Sequence, residues 1–570
     1  MKPIQDWELS FPNLNGLRGY PQSLRSPCGA NRSPESLNAK HMRNSLLLSY
    51  EVPNRFTAVK RRFGVSTLEA ALRRGPQPLY APHPPIPPVQ KGRDAPMDLI
   101  EIINSVDAAV WGPPMIILLL GSHLFLTVRT GFIQRKLPRA IKLSVTKDPD
   151  AEGDISQFGA LCTALSATIG TGNIVGVATA IMSGGPGAVL WMWLTGVFGI
   201  ATKYSETFAA VKYRVKDHEG KMLGGAMYAW KRAFTKDGKT PWWATLGAGA
   251  FALFAAVASF GIGSAVQSSS MTGIITSNFP GIPTWGIGLA IVIMVSVVIF
   301  GGVKVISRVC EKLVPFMAIA YAWGCIVILG MNIEYVIPAI QLIVESAFNP
   351  QAAFGGLLGS GVMAAIQFGC ARGLFSNESG LGSAPIVASA AATRNPARQA
   401  LVSMTGTFWD TVIICALTGV VLVSTMLANP DVVSSIAAGK ITAGAELTSA
   451  AFASIPYVGT PVLVLGMILF SYSTILGWSY YGNRCVTYLF GKHAIRPYQV
   501  LYVIAAFLGA VGVADVVWTV SDITNALMAI PNIIVVLALS GMIARETKHY
   551  VYDDNLDEHD DVEIPVLESK

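Results

Sequence analysis

Eleven long apolar runs dominate the sequence between residues 97 and 544. They lie at 108–128, 156–182, 187–209, 244–268, 281–303, 309–330, 353–392, 401–427, 458–482, 500–519 and 522–543. A bilayer core of about 30 Å is crossed by about 20 apolar helical residues, so each run is long enough to span it. The alternating ten-residue strands of a membrane barrel are absent. The sequence therefore predicts an all-α polytopic membrane protein with 11 transmembrane helices.

Composition supports this fold class. Only 14% of the residues are charged, whereas a soluble domain carries about 25%. The net charge of +7 comes from residues 1–96, which hold 14 Lys and Arg against 6 Asp and Glu. The remaining chain has 28 basic and 29 acidic residues. A neutral apolar body excludes nucleic acid as a partner and makes the lipid bilayer the expected one.

The N-terminal segment differs from the rest of the chain. Residues 1–96 contain 14 of the 33 prolines, and such a basic, Pro-rich stretch is predicted to be disordered. Met97 opens an acidic amphipathic stretch that leads directly into the first apolar run. We therefore expect Met97 to be the real start, with a genuine disordered arm as the alternative. Residues 97–544 form the predicted transmembrane domain, and 545–570 an acidic cytoplasmic tail.

Loop charges predict the orientation. Short loops rich in Lys and Arg stay in the cytoplasm. Clusters of these residues follow every odd-numbered run through the ninth, whereas the intervening loops are mostly acidic. Each odd-numbered run is therefore predicted to exit inside, which places the N-terminus outside and the C-terminus in the cytoplasm.

Two runs are interrupted near their middle. The second contains Gly170-Thr171-Gly172-Asn173, and the seventh contains Phe375-Ser376-Asn377-Glu378 followed by Gly380 and Gly382. Each of these runs begins a set of five, and the two sets cross the membrane in opposite directions. Matching interruptions in two inverted halves indicate the substrate site of a secondary transporter. The predicted fold is a five-plus-five inverted repeat with discontinuous helices.

A broken helix supplies two kinds of backbone group. The N–H groups at the start of one half-helix suit a carboxylate, and the C=O groups at the end of the other suit an ammonium group or a sodium ion. A zwitterionic amino acid needs both kinds. The alternative is that the glycines only let neighbouring helices pack closely.

Several motifs identify a family. The sequence resembles the alanine or glycine:cation symporter family from about Met97 to Ala544, in the motifs Thr168–Val177, Gly184–Ala188, Trp191–Trp193, Gly224–Tyr228, Phe375–Gly380 and Asn483–Cys485. The resemblance implies sodium-driven uptake of alanine, glycine or a similar small neutral amino acid across the inner membrane of a prokaryote. It implies no enzymatic activity and no cofactor apart from the transported sodium ion.

The resemblance also implies a set of site residues. The substrate pocket maps onto Gly170, Thr171, Gly172, Asn173, Gln267, Phe375, Ser376, Asn377, Glu378, Thr474 and Trp478. Backbone near Gly172 and Asn173 would hold the carboxylate, the carbonyls of Phe375 and Ser376 the ammonium group, and Trp478 would cap the side-chain end. Sodium would lie between Ala167 and Gly170 of the second run and the hydroxyls of Ser473 and Thr474 in the ninth.

Other ionisable residues at membrane depth are functional candidates. Glu378 either binds the ion or a proton, or braces the broken helix. Asp410 is expected to make structural hydrogen bonds, and Lys203 with Glu206 to form a helix ion pair at a membrane edge. Proton-coupled symport by the same fold is the alternative function, and a channel is a further one. The oligomeric state stays open.

Overall fold

A computed structural model describes residues 99–148, 151–349, 361–512, 515–560 and 562–567. The described part is almost entirely helical, as the apolar runs predict. The prediction for residues 1–96, including the proposed start at Met97, lies outside the described residues.

The first half of the described chain contains twelve helices and one short hairpin. The helices are α1 Leu99–Val110, α2 Pro113–Arg129, α3 Leu137–Ser144, α4 Gln157–Thr168, α5 Val175–Gly184, α6 Ala188–Lys212, α7 Ala226–Phe234, α8 Trp242–Phe260, α9 Val266–Asn278, α10 Thr284–Ile299, α11 Val303–Met331 and α12 Ile333–Phe348. Strands β1 Val215–Lys216 and β2 Met222–Leu223 pair antiparallel between α6 and α7.

The second half contains ten helices. They are α13 Val362–Asn377, α14 Ala384–Ala388, α15 Pro396–Thr407, α16 Ala416–Ala428, α17 Pro430–Ala437, α18 Gly444–Ala453, α19 Gly459–Phe490, α20 Ile495–Val511, α21 Asp515–Ala538 and α22 Ser540–Thr547. Wider π-helical turns join α8 to α9 at Gly261–Ala265 and α15 to α16 at Phe408–Cys415.

Within the described residues, seven helical stretches are long and apolar enough to cross a membrane. They are Ile100–Arg129, Trp242–Asn278, Val303–Met331, Pro396–Ala428, Gly459–Phe490, Lys492–Val511 and Thr519–Ala538. Two shorter apolar helices, α5 and α10, add to these. The chain is therefore a multi-pass membrane protein, and the count of eleven spans stays a prediction.

Two details differ from the sequence predictions, and a third prediction falls partly outside the described residues. The tenth run was expected to reach residue 519, but α20 ends at Val511 because Gly512 adopts a left-handed conformation at φ +103°, which terminates helices. Helix α12 occupies a segment that was expected to be a loop. Part of the seventh run, residues 350–360, lies outside the described residues.

Both predicted helix breaks are present. In the first, α4 ends at Thr168, Ile169 and Gly170 are extended, and a single 3-10 turn at Thr171–Asn173 precedes α5. In the second, α13 ends at Asn377 and the chain turns before α14. These two segments are called the first break (residues 169–174) and the second break (residues 375–383, which begins in the last turn of α13).

Close helix packing uses other glycines. A Cβ at Gly369 would lie 2.4 Å from the Ala188 carbonyl oxygen, and one at Gly373 would lie 2.2 Å from Thr195 Oγ1. These two glycines are one turn apart on α13 and let it approach α6, as small residues do in membrane helices. The packing explanation therefore holds for Gly369 and Gly373.

The acidic C-terminal tail packs against the loops that carry basic residues. Lys216 N–H donates to the Pro565 carbonyl at 2.9 Å, and Lys212 pairs with Asp560 at 3.1 Å. Asn395 Nδ2 donates to the carbonyls of Leu556 and Glu558, at 2.9 and 2.8 Å. The Asn395 side chain also caps α15, since its Oδ1 accepts from Arg398 N–H at 2.9 Å.

These two roles of Asn395 separate in a pair of variants. Asn395→Asp keeps the capping oxygen but loses both donors to the tail, so we expect faster hydrogen exchange in residues 555–560 and unchanged exchange at the start of α15. Asn395→Ala loses the cap as well, at a cost of about 0.5–2 kcal/mol, and is expected to speed exchange in both places. Equal tail protection in wild type and Asn395→Asp would contradict this assignment.

Candidate functional site

The two breaks meet at a small buried cavity. It accepts the centre of a water-sized sphere over about 10 Å³, which is room for about one water molecule. The lining residues come from both breaks, from helices α4, α9 and α19, and from the π-helical turn before α9. They are Ala167, Thr168, Gly170, Thr171, Gly172, Ile262, Gln267, Phe375, Glu378, Thr474 and Trp478. A Cβ at Gly172 would lie 3.3 Å from Phe375 Cδ1, so the breaks contact each other directly.

The family resemblance implies thirteen residues for the substrate and sodium sites, and nine of them line this cavity. Thr168 and Ile262 complete the lining and were not predicted. Asn173, Ser376, Asn377 and Ser473 are buried nearby but are not part of the lining.

A π-helical turn and a close glycine contact bring α9 and α19 to the cavity. The π-helical turn at Gly261–Ala265 lies between α8 and α9, and Gln267 Nε2 donates to the Ile262 carbonyl at 3.1 Å. A Cβ at Gly263 would lie 2.3 Å from Trp478 Cβ, so glycine is required for this approach. Thr474 and Trp478 are four residues apart on α19 and share the face that meets the cavity.

Two cavity oxygens lack a hydrogen-bond partner. They are Gln267 Oε1 and Thr474 Oγ1, and both are buried. A Cβ at Gly170 would lie 2.5 Å from Thr474 Oγ1 and 3.5 Å from Gln267 Oε1, so both oxygens face the first break. Because buried polar atoms almost always have partners, these two oxygens indicate a position for a polar ligand or an ion.

Asp410 joins the two breaks. It lies fully buried in the π-helical turn Phe408–Cys415. Asn173 Nδ2 donates to Asp410 Oδ1 at 2.7 Å, and Ser376 Oγ donates to Asp410 Oδ2 at 2.9 Å. Asn173 Oδ1 in turn accepts from Gly170 N–H at 2.9 Å. The expected structural hydrogen bonding of Asp410 is confirmed, and the side chains of Asn173 and Ser376 are committed to it.

Glu378 braces the second break. Its φ is +54°, and its carboxylate accepts a hydrogen bond from Ser383 Oγ. The carboxylate also lies beside Trp478 at the cavity. Of the two roles expected for Glu378, the brace is therefore observed, whereas binding of an ion stays a prediction.

The remaining predicted side chains are held locally. Asn377 Oδ1 accepts from Ser379 N–H at 2.9 Å, which stabilises the second break. Ser473 Oγ donates to the Phe470 carbonyl of its own helix at 2.9 Å. The Ser473 hydroxyl oxygen keeps its lone pairs, so it retains the capacity to ligate a cation.

Helix α19 packs directly against the end of α4. A Cβ at Gly477 would lie 2.7 Å from Ser166 Oγ and 2.8 Å from the Ala167 nitrogen. The last carbonyls of a helix carry partial negative charge, and Ala167 and Thr168 at the end of α4 line the same cavity as Thr474. In the described part of the chain, no three His, Cys, Asp or Glu side chains group to hold a metal ion.

Comparison with known proteins gives the family. Residues 97–564 match the sodium:alanine symporter family. The chain belongs to this family. It is 48% identical over 458 residues to the sodium/alanine symporter AgcS of Methanococcus maripaludis, covering 80% of this chain and 98% of that protein. The resemblance found in the motifs is confirmed.

Two further relatives agree with this membership. An uncharacterized transporter of Haemophilus influenzae is 47% identical over 473 residues, covering 82% of this chain and all of that protein. The amino-acid carrier protein AlsT of Bacillus subtilis is 30% identical over 455 residues, covering 79% of this chain and 91% of that protein. The protein is therefore an amino-acid:cation symporter by family rather than an enzyme.

The contact between Gly170 and Thr474 generates a test. Gly170→Ala places a methyl group against Thr474 Oγ1, and overpacking costs about 1–3 kcal/mol. We expect cation-dependent amino-acid uptake in proteoliposomes to fall about tenfold or more, since about 1.4 kcal/mol is a factor of ten.

Gly176→Ala is the matched control. Gly176 lies in α5, and a Cβ there meets nothing within 4 Å, so this variant should transport like wild type. Equal uptake by the two variants would show that Gly170 is not confined by the cavity.

Proposed function

We propose that the protein imports a small neutral amino acid, alanine or glycine, together with sodium. The observation that carries this proposal is the meeting of two helix breaks at one cavity, with two unpartnered oxygens facing Gly170. Family membership and the relative named sodium/alanine symporter AgcS support the choice of amino acid and ion.

The proposal includes the predicted architecture. Eleven transmembrane helices form a five-plus-five inverted repeat in the inner membrane of a prokaryote, with the N-terminus outside and the C-terminus in the cytoplasm. The two breaks support the repeat, because each lies in the first membrane segment of its predicted half. The alternation of basic loops supports the orientation.

We assign the amino acid to the space between the breaks. Backbone around Gly172 and Asn173 binds the carboxylate, and the carbonyls of Phe375 and Ser376 bind the ammonium group. The bulky ring of Trp478 closes the cavity on the side of α19, and Ile262 adds an apolar wall.

We assign sodium to the neighbouring junction of α4 and α19. Ala167 and Gly170 contribute carbonyl oxygens, and Ser473 and Thr474 contribute hydroxyl oxygens. The Thr474 hydroxyl supports this assignment because it is buried, unpartnered and next to Gly170. Thr474 also lines the cavity, so a sodium ion bound there stabilises the same part of the first break that receives the carboxylate.

This arrangement explains symport in thermodynamic terms. A ligand shifts a conformational equilibrium only by binding one state better than another. Sodium and the amino acid both need the first break in a single shape, so each increases the affinity for the other. An inward sodium gradient then drives accumulation of the amino acid.

Transport in proteoliposomes tests the proposal. Radiolabelled alanine is supplied at concentrations near its KM. We expect alanine to accumulate inside the proteoliposomes above its outside concentration with an inward sodium gradient, and not to accumulate when potassium replaces sodium on both sides of the membrane. A proton gradient that alone drives equal accumulation would make the proton-coupled alternative correct. Equilibration without accumulation under any gradient would indicate a channel. A panel of other amino acids, run in the same assay, measures the substrate preference.

A further inference from the structure

The second break is held in an unusual backbone conformation. Glu378, Gly380 and Gly382 have φ values of +54°, +91° and +79°. Three left-handed residues within five positions interrupt the helical hydrogen bonding, so the backbone groups of Gly380 and the N–H group of Gly382 need partners from elsewhere in the protein.

Glu206 of α6 supplies the acceptor. Its Oε2 accepts from Gly380 N–H at 3.1 Å and from Gly382 N–H at 3.2 Å. The same oxygen accepts from Asn532 Nδ2 of α21 at 2.8 Å. Asn532 Nδ2 also donates to the Gly380 carbonyl at 2.9 Å, so both polar backbone atoms of Gly380 are bonded to side chains.

Lys203 completes the network. Its Nζ lies 3.1 Å from Glu206 Oε1 and donates to the Glu378 carbonyl at 2.9 Å. The expected ion pair is confirmed, and its place at a membrane edge stays a prediction. Lys203, Glu206 and Asn532 are each only 2% exposed. Two charges buried this deeply require mutual compensation and further hydrogen bonds, and the turn provides those bonds.

The packing leaves the turn no room to move. A Cβ at Gly382 would lie 2.6 Å from Asn532 Cγ and 2.8 Å from a ring carbon of Phe251. A Cβ at Gly380 would lie 3.0 Å from Leu119 Cδ2. The network therefore acts on a turn that is confined by α2, α8 and α21.

We propose that Glu206 and Asn532 are positioning residues that hold the second break in the shape required for substrate affinity, and that Lys203 chiefly compensates the buried charge of Glu206. None of the three lines the cavity, whereas Glu378, at the start of the turn, does. They act through the turn, and Glu206 acts chiefly as the acceptor of the Gly380 and Gly382 N–H groups. This inference rests on the proposed function for its transport readout.

Two charge-neutral double variants isolate the acceptor. Lys203→Met with Glu206→Gln keeps an amide oxygen for the two glycine N–H groups, whereas Lys203→Met with Glu206→Leu removes it. Neutral replacement of a buried ion pair is commonly tolerated, so both proteins should fold. We expect the KM for alanine to stay within about threefold of wild type with Gln and to rise about tenfold or more with Leu, since two buried N–H groups lose their acceptor.

Thr207→Val is the control on the same helix. Thr207 is buried next to Glu206 in sequence, and its hydroxyl has no hydrogen-bond partner, so its KM should equal that of wild type. A folded Leu variant with the wild-type KM, or an equal loss with Gln and Leu, would overturn the proposal. If the Leu variant does not fold, Asn532→Ala replaces it in the test, with thermal unfolding to show that this variant is folded. We expect Asn532→Ala to raise the KM for alanine by about threefold, and an unchanged KM would overturn the proposal.

Hydrogen exchange separates this inference from the proposed function. Amide protection in residues 378–383 should persist in the Gln variant and be lost in the Leu variant, whatever the protein transports. Wild-type protein without sodium-dependent alanine uptake would refute the proposed function alone. Equal protection of these amides in the two variants would refute the positioning role alone.

Discussion

Unwound backbone inside a bundle of membrane helices must find hydrogen-bond partners, and the structure around the site depends on how it does so. A buried N–H or C=O group without a partner destabilises the fold. The Asp410 carboxylate accepts hydrogen bonds from Asn173 of the first break and from Ser376 of the second. In the second break, Glu206 accepts from the Gly380 N–H group and Lys203 donates to the Glu378 carbonyl. Acidic side chains thus supply acceptors where helical carbonyls cannot.

The distribution of satisfied and unsatisfied atoms separates support from binding. Asn173, Ser376 and Glu206 have their polar atoms engaged with protein partners or with the ion pair, which fixes the breaks. In the cavity between the two breaks, Gln267 Oε1 and Thr474 Oγ1 have no hydrogen-bond partner. A rigid surround with a few free polar atoms is the arrangement expected of a small-molecule site, and it favours a ligand that carries its own donors or positive charge.

Much of this arrangement could be predicted from the sequence. Glycine and asparagine in the middle of apolar runs indicate breaks because they oppose helix formation, and both breaks occur where expected. Most of the site residues that the family resemblance implies line one cavity. The contribution of Ile262 could not be predicted, because it depends on a π-helical turn in a run that looks uniformly apolar. The bridging role of Asp410 depends on hydrogen bonds between helices more than 200 residues apart, although a single Asp in an otherwise uncharged run did mark it as a candidate.

The differences from the sequence predictions have physical causes as well. The ion pair of Lys203 and Glu206 could be predicted from their spacing, whereas the hydrogen bonds of this pair to the second break depend on contacts between helices far apart in the chain. The tenth run was extended too far because the residues on either side of Gly512 are apolar, and only its positive φ reveals the end of α20.

The proposed function depends most on one coupling, through the Thr474 hydroxyl, between sodium at the junction of α4 and α19 and the amino acid between the breaks. Equilibrium binding of alanine to purified protein, titrated with sodium, measures this coupling in wild type, Thr474→Ser and Thr474→Val. Sodium should strengthen alanine binding in wild type and in Thr474→Ser, which keeps the hydroxyl, and should have little effect in Thr474→Val, which has nearly the same shape but no oxygen. Undiminished stimulation by sodium in a folded Thr474→Val protein would contradict the proposed coupling.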